Sequence, residues 1–270
     1  MMTDFCNPGG AMLGSEPTDQ AIDNGSPASS AGRAAAALDR LARDAGLHGD
    51  VDRGSAQGTH AAFAQLYFHS TRRWLDHLED QADAHIGYMV IERFYDLYDL
   101  YVRQVIDGRS AQTAAHWIPY FRLSDSLGDR QTAAGHWRLL FLGARAHVRY
   151  DLAEAVYFTY RDYSGIHGRS PSRDRFRHLL LGPKTDAVFL SAARDFVSSR
   201  QPTRHGVGAH GNHMVHLGTD WLRRFWVPAF QHWRRAAWAD ALSRIDARRQ
   251  REGPANARSA QFEGGDAEYG

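Results

Sequence analysis

The chain has 270 residues, 43% of them hydrophobic and 23% charged, with a formal net charge of +1. That is enough apolar material for a sizeable core, and so even a charge balance excludes a global field suited to nucleic acid or to an anionic membrane surface. Cys6 is the single cysteine, which excludes an intramolecular disulfide and a thiolate metal cluster and fits a reducing, cytoplasmic setting.

Residues 1–33 are rich in Gly, Ser, Ala, Pro and Asn without periodicity, and disorder is expected there. The first residues lack the basic and apolar regions of a secretory signal. No apolar run is long enough to span a bilayer. A helical domain is expected over 34–250. Its first helix runs from Ala34 to Ala45, and Gly46 to Gly58 reads as a loop. Ala62, Phe63, Leu66, Tyr67, Trp74 and Leu78 form an apolar stripe, predicting a helix over 59–78. Ile86, Val90, Phe94, Leu97 and Tyr101 predict another over 82–106, with Glu92, Asp96 and Asp99 on a solvated face. A helical stretch over 111–121 is expected to be interrupted by Pro119, with a turn over 124–128.

The central helix is expected over 130–163, followed by a loop over 164–173, an ambiguous stretch over 179–183 and a weaker helix over 186–198. Residues 200–211 read as a polar, Gly-rich loop. A last helix starts near Thr219, kinks at Pro228 and gives way to a disordered tail over 251–270. No strand pattern or internal repeat is present, so the fold class is all-α.

The central helix carries the chemistry. At about 100° per residue, His136, Gly143, His147, Asp151 and Glu154 fall within about 40° of one line, and Arg145 and Arg149 lie about 160° away. Arginines prefer water, so the histidine stripe, with Leu140 and Phe158, is expected to face inward. Gly143 leaves room for a ligand or another helix. Histidine and aspartate four residues apart reach one point, as metal ligands or as an acid–base pair. The competing reading is a buried hydrogen bond that only ties the core together.

From Leu142 to Leu152 the chain reads Leu-Gly-Ala-Arg-Ala-His-Val-Arg-Tyr-Asp-Leu. This resembles the signature Leu-Gly-Met-Asn-Ala-His-Ile-Asn-x-Asp-Leu of an uncharacterised helical family common in actinobacteria. Gly49-Asp50 ahead of Phe63, Tyr67 and Thr71, and the segment from Arg235 to Leu242, extend the resemblance over roughly 40–245. The resemblance implies a helical domain and brings no established activity. Arg145 and Arg149 stand where that family has asparagine. The His147–Asp151 spacing is also distantly similar to the H-x-x-x-D helix of zinc-dependent phospholipase C and S1-type nucleases, whose full ligand set is absent from this sequence.

Other constellations are weaker. His210, His213 and His216, in a Gly-rich loop, suit a divalent metal such as zinc, or form a flexible surface loop. Gly206 to Gly211 matches G-x-G-x-x-G but follows no strand, so it is no dinucleotide site. Asp96 and Asp99 fall short of a terpene-cyclase metal motif, and H-E-x-x-H, C-x-x-C, Walker A and G-x-S-x-G motifs are missing. Trp221, Trp226, Trp233 and Trp238 on the last helix read as core, with the neighbouring arginines in solvent.

The expectation from sequence is an enzyme acting on a small organic molecule, in the manner of specialised metabolism. The chemistry would be acid–base or metal-assisted hydrolysis, cyclisation or elimination. His147 and Asp151 carry it, with His136, Glu154, His210, His213 and His216 as further candidates. The alternative is a helical protein that binds a ligand or partner without catalysis.

Overall fold

Apolar residues recur at helical spacing along most of the chain, and the computed structural model is helical wherever they do. It describes residues 27–47, 56–110, 113–127, 133–199 and 222–262, with side chains over 29–47, 60–110, 113–127, 134–199 and 224–251. Among these no strand occurs, and no helix is long and apolar enough to cross a membrane. The loop expected over 200–211, the candidates His210, His213 and His216, and the expected helix start near Thr219 lie outside the described residues.

Helix α1 (Pro27–Asp44) begins within the segment expected to be disordered. It is held because Ala34, Ala37 and Leu41 all bury on one face against α2 (Ala56–Leu78) and α3 (Ala84–Tyr98). Helix α3 continues through a π turn (Asp99–Arg103) to Ile106. Its expected solvated face is a set of ion pairs, Glu92 with Arg33, Asp96 with Arg93 and Asp99 with Arg103.

Pro119 does not interrupt a helix. A 3-10 turn (Ala115–Trp117) leads into α4 (Ile118–Leu127), and Pro119 sits in its first turn, where a missing N–H costs nothing. Helix α4 therefore occupies most of the segment expected as a turn.

The centre of the fold is one long helix in three parts: α5 (Ala133–Ala146), a π turn (His147–Asp151) and α6 (Leu152–His167). It extends into the segment expected as a loop and ends at Gly168, whose φ of 60° is the left-handed cap that glycine accepts. Ser172 then caps α7 (Arg173–Leu181), accepting a hydrogen bond from the Arg175 amide at 3.4 Å. The stretch that was ambiguous in sequence, 179–183, covers the end of this helix, Gly182 and the first residue of the next. Helix α8 (Pro183–Ser199) packs on α2.

A further π turn (Leu222–Trp226) precedes α9 (Val227–Phe262), which packs along α6. The change of helix type falls immediately before Pro228, where a kink was expected. The helical backbone of α9 continues past residue 251, where a tail was expected. Trp226, Phe230, Trp233 and Trp238 bury from it, as core tryptophans should.

Candidate functional site

The site is built around one carboxylate. Asp151 is fully buried, with 0% exposure, and its oxygens accept three hydrogen bonds from N–H donors. His147 Nδ1 lies 2.9 Å from Oδ2, Trp117 Nε1 donates to Oδ2 at 3.0 Å, and His116 Nε2 lies 2.5 Å from Oδ1. The π turn supplies His147 and Asp151, and the 3-10 turn ahead of α4 supplies His116 and Trp117. Burial alone would raise the Asp151 carboxyl. The hydrogen bonds from His116 and His147 outweigh it and hold the group below its ordinary value, so Asp151 is an anion.

An anionic acceptor fixes the tautomer of His147. Its Nδ1 carries the proton and donates it to Asp151, which leaves the lone pair on Nε2. Burial lowers the affinity of the ring for a second proton, although Asp151 opposes this, so the imidazole is neutral. Phe94 stacks on it with ring centroids 3.5 Å apart, and Tyr67 meets it edge-on at 4.4 Å. His147 Nε2 and the Tyr67 hydroxyl are both buried, and neither has a hydrogen-bond partner among the described residues.

Both residues line one cavity of about 80 Å³. Phe63, Phe94, Leu152 and Phe230 make much of its wall, and the half-buried Ser70, Trp74 and Phe189 also line it. Arg234 reaches the same wall, but its guanidinium is committed. It bonds the Leu180 carbonyl at 3.1 Å, pairs with Asp186 and stacks over Phe189.

No protein-family model, curated protein or solved structure matches this chain.

Several expected features lie where the helical wheel put them. Gly143 is a point of close approach between helices: a Cβ there would stand 2.8 Å from the Phe63 ring and 3.1 Å from Tyr120. Arg145 is exposed. Arg149 is only half-buried in solvent contact and bridges to α9, pairing with Asp240 at 2.6 Å.

The stripe itself does not continue as drawn. A π turn takes an extra residue per turn, so α6 is rotated relative to α5. Val156, Thr159 and Tyr160 turn inward, and Glu154 and Phe158 move to the edge. Glu154 accepts from the Tyr101 hydroxyl at 3.5 Å, and the Tyr101 ring meets His116 edge-on.

His136 lies eleven residues before His147, about 16 Å along the helix, too far to share a ligand with it. Among the described residues no three His, Cys, Asp or Glu side chains converge as a metal-ligand set. The donor chemistry agrees: Asp151 spends its lone pairs on three N–H groups, and the His147 ring packs against aromatic carbon and a phenol. A metal held jointly by His147 and Asp151 does not fit this arrangement.

His116 and Trp117 were missed in sequence because they stand 35 and 34 residues from Asp151. The available signal was a tryptophan bound for the core, whose indole N–H needs an acceptor there.

Proposed function

We propose that this chain is an enzyme that performs acid–base chemistry on a compact, largely apolar molecule bearing a hydroxyl or carbonyl oxygen. His147 is the base. The observation that carries this reading is the Nε2 lone pair, buried and without a partner among the described residues, on a ring that lines a carbon-walled cavity while Nδ1 is anchored to an anion. An imidazole serving only to hold the core together needs neither an unsatisfied ring nitrogen nor a cavity beside its ring.

In the proposed step, a substrate O–H or acidic C–H gives its proton to Nε2, and the electron pair stays on the substrate. Asp151 stabilises the imidazolium that forms, as a buried carboxylate does for a catalytic histidine. The Tyr67 hydroxyl donates to the substrate oxygen as negative charge develops there. Burial pushes the Tyr67 phenol well above its ordinary value, with the Asp151 charge adding to the effect, so it remains a donor. Elimination and cyclisation both begin with such a proton transfer.

The test uses acetone, 2-propanol and cyclopentanone as probes. Binding is read by protein NMR, and proton abstraction by deuterium uptake from D₂O at the carbon beside the ketone. The expected result is binding together with deuterium uptake that disappears in His147→Gln. Binding with no uptake above buffer would reject the enzyme and leave a ligand-binding protein.

A further inference from the structure

A second concave site lies on the opposite stretch of α6, where α6 and α9 run side by side. It is a groove of about 110 Å³, lined by Tyr160, Arg161, Ser164, Ser170, Arg248 and Arg249. Its residues on α6 begin ten positions after His147, about 15 Å further along the helix, so the two sites are separate. Among the described residues three arginines and no carboxylate line it.

The setting of Arg249 differs from that of most arginines here. Arg33, Arg93 and Arg149 each close on a carboxylate at 2.6–2.8 Å. Arg249 instead donates to two neutral hydroxyls, Tyr160 at 2.5 Å and Ser170 at 2.9 Å. The acids flanking the groove are engaged: Asp162 by Arg93 and Arg161, and Asp246 by Arg173.

A hydroxyl that accepts from a guanidinium keeps its own proton for a further acceptor. Tyr160 and Ser170 are therefore donors to whatever enters the groove. Ser164 is spoken for, since it donates to the Tyr160 carbonyl at 2.8 Å. The groove thus combines the Arg249 guanidinium with two polarised O–H donors, beside Arg248 and the Asp162-paired Arg161, and among the described residues its lining holds no carboxylate. Arginine forks match tetrahedral oxyanions in geometry as well as charge.

We propose that this groove binds a phosphate group, carried either by inorganic phosphate or by a small phosphomonoester. A bound phosphate would bridge α6, the Ser170 segment and α9, and so stabilise the packing of α9 on the central helix.

The test is thermal unfolding and calorimetric titration of the full chain with inorganic phosphate and, separately, glycerol phosphate, against sodium chloride at matched ionic strength. Near fivefold Kd, phosphate is expected to raise Tm by about 2–4 °C beyond the salt control. Arg249→Gln, an exposed position that should not disturb folding, is expected to lower affinity at least about tenfold. Tyr160→Phe should lower it less. Arg251→Gln, outside the groove, should leave it unchanged. Tighter binding of glycerol phosphate identifies an organic ester as the ligand, and equal or weaker binding identifies the free ion. A rise in Tm matched by chloride, or equal losses in the Arg249 and Arg251 variants, would reduce the groove to non-specific screening and overturn the proposal.

Discussion

His116 and His147 share one buried carboxylate: the first approaches Oδ1 of Asp151 at 2.5 Å and the second Oδ2 at 2.9 Å. His116 is 18% exposed and His147 only 3%, so a single anion joins a residue near the surface to one facing the cavity. Asp151→Asn removes the charge and leaves an amide that cannot accept from all three N–H donors. Removing one partner from a buried charged network costs about 3–5 kcal/mol, and a loss of that order is expected in the urea unfolding free energy. His116→Gln, which retains an N–H donor, should cost far less. If Asp151→Asn is as stable as the parent, the carboxylate is not the hub the geometry makes it.

The hydroxyl of Tyr67 is buried without a partner among the described residues. Tyr67→Phe removes an unsatisfied donor and keeps the ring, so the ligand-free protein should be unchanged or more stable by about 1 kcal/mol. Binding of 2-propanol should weaken in the same variant. Destabilisation by more than about 1 kcal/mol would mean that the hydroxyl has a structural role, and would remove the donor from the proposed site.

Gly143→Ala sets helix propensity against packing. Alanine gains up to about 1 kcal/mol in a helix, but its Cβ would stand 2.8 Å from Phe63, whose ring is held by Tyr67, Trp117 and Tyr120. Overpacking of this kind costs about 1–3 kcal/mol, and net destabilisation in chemical denaturation is the expected outcome. A more stable variant would show that Phe63 can move aside.

His60 packs against Tyr120 with Nδ1 2.9 Å from the Tyr120 hydroxyl, and burial lowers its pKa from 6.5 to about 4, opposed weakly by Asp125. The unfolded chain takes up this proton near 6.5 and the folded chain only near 4, so stability falls as pH falls through that window. Asp44 acts in the opposite sense, because burial raises it to about 6 despite Arg103, and the folded state then binds protons more readily than the unfolded chain. The His60 contribution therefore shows in a difference: His60→Gln should flatten the decline of unfolding free energy between pH 6.5 and 4 relative to the parent. Parallel curves would refute the assignment.

Much of the architecture was legible because burial imposes a period. Phe63, Leu66 and Tyr67 on α2, and Ile86, Val90 and Leu97 on α3, recur at helical spacing and are buried as that spacing requires. The pair His147–Asp151 was legible for the same reason, since four residues on a helix bring two side chains to one face. Glu154 and Phe158 were misplaced because the wheel assumed one uniform pitch, whereas a π turn sits between the two helices.

By itself, then, the sequence determined an all-α fold, a central helix and a histidine–aspartate pair with its face turned inward, all consequences of local periodicity. Only the tertiary structure decided what that pair contacts. Long-range packing brings His116 and Trp117 onto Asp151, anchors His147 Nδ1 there and sets the His147 ring in the wall of a cavity. Contacts across 34 and 35 residues depend on how helices dock, and docking leaves no period in the chain.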